Sequence, residues 1–424
     1  MTRRGSSVSL ALASAATALL PATHSIAAEP WQIDAELLYY SESGGRVSDN
    51  SFKSIAQRSW KDEGNLVFGL QLDSLTGASP SGAIALDEVQ SITQPSGNNS
   101  VVTQPGELPL DDSFKDTRLA LTASLSNVLE TGARYSAGTS LSKEYDYLHL
   151  GGNASYAKDY NNSNTTLSAG FAIAQDTVEP VGGAPIPLSF QRAEGAVSDR
   201  AKNKSKTVVD ALFGLTQIIN RRSLFQLNYS LSLADGYLTD PYKVLTVLDD
   251  VGNPVDSIQD DIYQYRYESR PNSRLGHNLY LEYKHRFDAA VYSASYRYHT
   301  DDWGVDSHTI ESRYRWLLSS KHYLEPNIRY YSQSSADFYR AYLPEGEIPE
   351  NASSDYRLGE FTGLTLGVSY NRTLGVGKSI GASIETYETS GASTEIPDEN
   401  EQTRLAPYPN LRATIVRFRY SFDW

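Results

Sequence analysis

The chain has 424 residues, no cysteine, and Met1 as its single methionine. Without thiols it has neither a disulfide framework nor a thiolate metal site. Its 37 basic and 51 acidic residues give a net charge of -14, which argues against a nucleic-acid partner.

Arg3 and Arg4 form a basic start, Val8 to Leu20 an apolar stretch, and Ser25-Ile26-Ala27 a small-residue cleavage site. Together they read as a secretory signal peptide over 1–27, leaving a single mature domain over 28–424. Its removal leaves 35 basic residues against the same 51 acidic ones. Beyond it no apolar run approaches the roughly 18 residues that a membrane helix requires, so a bilayer span has to be built of strands.

Alternation of apolar and polar residues predicts eight strands in the first half, at 31–41, 46–58, 64–75, 116–127, 132–143, 147–158, 163–175 and 205–218. Eight more follow at 223–236, 272–286, 289–301, 306–318, 321–335, 357–371, 377–389 and 411–424. The segment 46–58 has little apolar content and is included partly because the count should be even. The connections then sort by side. Those at 42–45, 76–115, 144–146, 176–204, 237–271, 302–305, 336–356 and 390–410 include every long one. Those at 59–63, 128–131, 159–162, 219–222, 287–288, 319–320 and 372–376 are all short. Long extracellular loops, short periplasmic turns, an even strand count and both ends in the periplasm define a bacterial transmembrane up-and-down β-barrel. A periplasmic sandwich has no reason to segregate its loops this way. The 29 tyrosines suit the aromatic girdles of such a barrel.

The alternation separates lipid from lumen. Phe225, Leu227, Tyr229, Leu231 and Leu233 are expected to face lipid, as are Leu66, Phe68, Leu70 and Leu72. In the second half the inward positions are charged, and Arg297, Glu311, Arg313, Arg315, Glu325, Arg329, Arg417 and Arg419 are expected to line the lumen. Arginine there can select anions, or it can pair with Glu282, Glu311 and Glu325 and stiffen the wall. Val416, Phe418, Tyr420, Phe422 and Trp424 share one face of the last strand. This ending resembles the insertion signal of Gram-negative outer-membrane barrels, with Trp424 where phenylalanine is more usual.

Leu72 to Ala83, Pro109 to Arg118, Ser142 to Tyr147 and Asp301 to Thr309 resemble segments of the family catalogued as domain of unknown function 3570. The likeness covers essentially the whole mature chain. It implies a bacterial, outer-membrane-like barrel and no activity.

Thr76, Gly77, Ser79, Pro80 and Gly82 leave the third strand with small residues and suit a loop that folds over the lumen as a constriction, or a sharp turn at the rim. The forty-residue connection 76–115 is long enough to line the lumen or to fill it. Asp301, Asp302 and His308, with His299 and Asp306, bracket a four-residue turn and are weak metal candidates, because His299 and His308 fall on opposite faces. Gly375 to Ser379 ends like a phosphate-binding loop, but Arg372 stands where the first glycine belongs. No nucleophile-elbow spacing is present, so an enzyme is not expected; a rim hydrolase built on His308 or His299 with Ser307 is the residual alternative. No cofactor is expected.

The sequence therefore points to a porin-like transport channel for small polar or anionic solutes in a Gram-negative outer membrane. The competing reading is a plugged barrel that serves as scaffold or binding partner for another envelope component. Outer-membrane lipid, lipopolysaccharide, the barrel-assembly machinery and a second copy of the chain are the expected partners.

Overall fold

The computed structural model describes residues 30–60, 63–77, 81–83, 90–93, 100–103, 115–192, 200–252, 255, 262–391 and 410–424. Sixteen antiparallel strands form a closed barrel. They are β1 (Gln32–Glu42), β2 (Ser48–Trp60), β3 (Gly64–Thr76), β4 (Lys115–Val128), β5 (Arg134–Lys143), β6 (Tyr147–Tyr160), β7 (Thr165–Val178) and β8 (Lys204–Asn220). The ring continues with β9 (Ser223–Gly236), β10 (Ser273–Arg286), β11 (Ala290–Asp301), β12 (Asp306–Leu317), β13 (His322–Gln333), β14 (Phe361–Gly375), β15 (Lys378–Gly391) and β16 (Arg412–Asp423). Each strand pairs with its sequence neighbours, and β16 pairs with β1 through eleven residue pairs from Gln32↔Asp423 to Glu42↔Ala413. Reciprocal hydrogen bonds of 2.8 Å between the main chains of Trp31 and Trp424 extend this seam to the last residue. Closure removes the free edge that a terminal aromatic strand would otherwise expose.

The sequence and the structure agree on all sixteen strands, including the polar segment that became β2. The largest shift of a strand start has a local reason. The strand expected from 357 begins at Phe361, because Tyr356–Leu358 turns as a 3-10 helix capped by the Asp355 side chain, which accepts from the Arg357 amide.

The outward face is apolar. Leu37, Phe171, Phe213, Ile310, Trp316 and Phe418 are exposed on it, as lipid contact requires. The inward face is divided. From β4 to β8 it is made of small, closely packed residues, among them Ser136 and Ala157, which are 2% and 1% exposed. From β10 to β16 it carries long charged side chains. A barrel of this strand number is too wide for side chains alone to fill it.

The hydrophobic core of a soluble protein has its counterpart here outside the barrel, in the long connections. Phe190–Arg192, Ile262–Tyr267, Val244–Leu248 and Leu343–Pro344 form a four-stranded sheet. Leu188, Leu245, Val247, Leu343 and Ala352 bury one another against it. Trp303 and Val305 pack with Ala336, Phe338 and Leu358, the Trp303 and Phe338 rings meeting edge to face at 5.0 Å. The connections after β7, β9, β11 and β13 thus share a folded cap with its own interior.

Candidate functional site

Strand register fixes which charges meet inside the barrel. Ser295 lies opposite Glu311, and Glu311 opposite Arg329, so Glu311, Arg313, Arg315, Glu325, Arg329 and Arg297 share the inward face. Arg417 and Arg419 lie on the same face of β16, opposite to Phe418 and Tyr420. Most of these arginines are paired. Arg313 bonds Glu311 at 2.6 Å, Arg315 bonds Glu325 at 2.6 Å, Arg417 bonds Glu385 at 2.9 Å, and Arg419 bonds Glu36 across the seam. Among the described residues Arg297 and Arg329 form no ion pair; Arg297 stands 5.6 Å from the Tyr280 ring. The Arg313, Arg315 and Arg419 side chains face inward yet are 53%, 43% and 53% exposed. All three lie in the half of their strands nearest the short turns, so water reaches this wall from that end of the barrel. The outward-facing Phe418, Tyr420, Phe422 and Trp424 lie along the lipid side of the closing strand.

The cap lies across the mouth, and topology proves it. The connection after β3 and the connection after β9 start six strands apart in a ring of sixteen, so they meet only by crossing the opening. They do meet. The Val244 amide donates to Ser81 O at 2.9 Å, the Thr246 hydroxyl donates to Gly82 O at 3.1 Å, and Ala83 packs with Val244, Tyr265 and Tyr267. Of the constriction candidates, Thr76 ends β3 and bonds the Ser48 hydroxyl at 2.7 Å, while Gly77 turns the chain at φ +81° under the Arg46 carbonyl. Gly82 is built into the cap. Ser79 and Pro80 lie outside the described residues, as does most of 76–115; within it Gln90–Thr93 and Ser100–Thr103 pair as a hairpin. The expected signal segment 1–27 also lies outside them.

A compact ion network locks the cap. Glu268 accepts from Arg270 at 2.6 Å, from the Ser353 hydroxyl, and from the Asp240 amide at 2.5 Å. Asp355 is bonded by Arg270 at 2.9 Å and by Arg357. The Asp240 carboxylate, 3.6 Å from Arg357, and Lys243, whose pKa burial pushes down, complete a set of three acids and three bases. Burying charges is tolerable when each is paired and bonded in this way. Next to Lys243, the Tyr242 hydroxyl donates to Asp146 at 2.6 Å.

The turn after β11 is occupied by structural bonds. Asp301 accepts from Arg274 at 2.7 Å and from the Trp303 and Val305 amides at 3.0 Å, and Asp302 accepts from the Leu275 amide at 2.9 Å. His308 faces outward, bonded to the Tyr296 hydroxyl at 2.8 Å, while His299 faces inward toward Asn278 and Asp301. The two histidines do not converge, and among the described residues no group of three His, Asp or Glu side chains is arranged to hold a metal. His299 lies opposite Ser307 in register, but its two ring nitrogens are engaged by Asn278 and Asp301 rather than by the Ser307 hydroxyl.

A different constellation escaped the sequence reading. Ser140, His149 and Asp176 meet on the inward face of three successive strands. The signal for it was the three-residue connection 144–146, which fixes the register of β5 on β6 and puts Ser142 opposite His149.

A closed sixteen-stranded barrel with an apolar outside, a charged inside and all long connections at one end is an outer-membrane β-barrel protein. The chain belongs to the family described as protein of unknown function (DUF3570), whose model matches residues 9–422. No curated protein matches it. Among solved structures it is similar to a bacterial polysaccharide outer membrane secretin, at 10% identity and TM-score 0.45, covering 94% of this chain and all of the other. It is also similar to the CymD monoaromatic hydrocarbon channel, at 8% identity and TM-score 0.38, over 94% of this chain and 89% of the other. The siderophore receptor PirA from Acinetobacter baumannii matches at 9% identity and TM-score 0.42, over 92% of this chain and 58% of the receptor. At these values nothing of what those proteins carry or bind transfers to this chain.

Proposed function

We propose that the protein is a capped channel of a Gram-negative outer membrane that passes small polar solutes along the β10–β16 wall. One observation carries this reading: Arg313, Arg315 and Arg419 face the interior of the barrel and remain about half exposed there. A plug filling the short-turn end of the barrel would have buried them. Fixed charges along a water-filled path act on permeating ions by sign. Because most arginines are neutralised by glutamates, the preference for anions falls to Arg297 and Arg329, and the paired ladder supplies a polar, nearly neutral surface.

The cap favours a second reading. Its own hydrophobic core and its buried ion network are more than a loop needs in order to stay out of the way. They suit a closed barrel that presents this surface to another envelope component, lipopolysaccharide or a second copy of the chain included.

Planar-bilayer recordings of the refolded mature protein separate the two. Insertion is checked first by the heat-dependent gel shift of closed barrels. Discrete conductance steps from wild type, longer-lived in Asp355→Asn, support the channel. Silence from both, with the gel shift intact, supports the closed barrel.

A further inference from the structure

His149 stands between a hydroxyl and a carboxylate. Its Nε2 is 2.9 Å from Ser140 Oγ and its Nδ1 is 2.7 Å from Asp176 Oδ1. The three residues come from adjacent strands, near the long-connection ends of β5, β6 and β7, on the inward face beneath the cap. Asp176 also accepts the Tyr147 hydroxyl on its other oxygen and faces Lys206 Nζ at 3.6 Å. A carboxylate bonded by donors on both oxygens only accepts, so Nδ1 carries the imidazole proton. Nε2 is then the acceptor and the Ser140 hydroxyl the donor. That is the tautomer in which a histidine takes a proton from serine.

Two neighbours bear on what this arrangement does. Gly151 lies opposite Ser140 in register, and a Cβ there would stand 2.6 Å from Ser140 Oγ and 3.0 Å from His149 Nε2. Any other residue would close the space over the pair. Asn153, the next inward residue on β6, is 8% exposed, and both polar atoms of its carboxamide lack a hydrogen-bond partner. An orphaned amide in a buried position costs about 1–3 kcal/mol, and it offers an N–H to a ligand oxygen one inward position away from the serine.

We infer that Ser140, His149 and Asp176 form a nucleophilic serine centre for acyl transfer from short esters that enter beneath the cap. Ser140 Oγ attacks the ester carbonyl carbon as its proton passes to His149 Nε2. Asn153 Nδ2 is the donor placed for the oxyanion. The carbon–oxygen bond to the alcohol breaks, and the alcohol leaves with the proton from His149. Water then attacks the acyl-serine, giving a proton to His149 that returns to Ser140 Oγ as the carboxylic acid departs. Gly138, Gly151 and Ala174 are the inward neighbours, and their small side chains leave the room an acyl group needs. Ser140 and His149 are 5% and 1% exposed, so a local opening around them precedes reaction.

The test uses the refolded full-length mature barrel and a fluorophosphonate, which loses fluoride as the serine oxygen bonds to phosphorus. Labelling located at Ser140 by mass spectrometry, abolished in Ser140→Ala and His149→Gln and slowed at least about 10-fold in Asp176→Asn, is expected. The same order should hold for hydrolysis of 4-nitrophenyl acetate. The native chain has no cysteine, so Ser140→Cys treated with a small methanethiosulfonate reports access at this one position. Modification of Ser140→Cys without labelling of wild type overturns the proposal, because the serine is then reachable and inert. Failure of both also overturns it, since the position is sealed; labelling at any other serine does the same. Each variant is accepted only with the gel shift of the closed barrel.

Discussion

The Tyr242 hydroxyl donates to Asp146 at 2.6 Å, tying the connection after β9 to the three-residue connection after β5. Asp146 is 2% exposed, so its carboxylate has exchanged water for this and neighbouring partners. Burial and the adjoining Asp146 push the Tyr242 phenol well above its ordinary range, and it stays a donor across the physiological range. Tyr242→Phe leaves a buried carboxylate one donor short, at a cost of about 1–3 kcal/mol to the cap. Faster amide hydrogen exchange over Val244–Leu248 with an unchanged barrel gel shift is the expected result. Unchanged exchange would mean that the cap is held without this bond.

The barrel was legible in the sequence because a half-lipid, half-lumen strand has to alternate, and because a closed bacterial barrel sorts its connections by length. Even Ser48–Trp60, with few apolar residues, was recovered by that bookkeeping. The cap was not legible. Glu268, Arg270 and Asp355 fall in long connections and Arg357 at the expected start of a strand, with no spacing that marks them, and only the crossing of connections that start far apart in the ring makes them a buried network. The arginine wall was half legible: alternation gave the face, but whether Arg313 meets Glu311 depends on side-chain reach along one strand. Ser140, His149 and Asp176 stayed hidden because three strands supply one residue each.

Gly82 is where the connection after β3 threads the cap. It sits at φ +102°, and a Cβ on it would lie 2.0 Å from both the Val244 carbonyl oxygen and Ser354 Oγ. Gly82→Ala is therefore strained in backbone and contact alike, and should weaken the cap by about 1–3 kcal/mol. Limited proteolysis should cut within 237–272 sooner than in wild type, with the barrel intact. Gly132→Ala, at φ +75° in a short turn with nothing near its Cβ position, is the comparison that keeps only the backbone strain and should leave the cap unaltered.

Ion selectivity offers a charge test of the lumen. Glu311→Gln with Glu325→Gln removes the partners of Arg313 and Arg315 while leaving both guanidinium groups in place. Two freed positive charges should move the reversal potential in a salt gradient toward anion selectivity, and the shift should shrink at high salt. Arg297→Gln with Arg329→Gln should move it the other way. A potential insensitive to all four substitutions, in a conducting barrel, would place the ion path elsewhere.

Acidification tests the network that locks the cap. Burial pushes Asp355 up, but Arg357, Lys243 and Arg270 together outweigh it and hold the carboxyl well below the ordinary carboxylate range. A depressed folded pKa means stability that is fully present above the unfolded carboxylate pKa and is lost as pH falls through the folded one. Glu268 runs the opposite way: burial raises it and the attraction of Arg270 does not compensate, so its contribution is present at low pH and lost as pH rises. The cap should therefore hold, or tighten, as pH is lowered toward the ordinary carboxylate range, and release only below it, when Asp355 takes a proton. Open probability in planar bilayers should stay flat from neutral pH into the mildly acidic range and then rise steeply. In Asp355→Asn the steep rise should be gone, with the open state already populated at neutral pH, because removing one partner from a buried pair costs about 3–5 kcal/mol. A wild-type profile that opens in the mildly acidic range, as ordinary surface carboxylates titrate, would show that this network does not hold the cap shut.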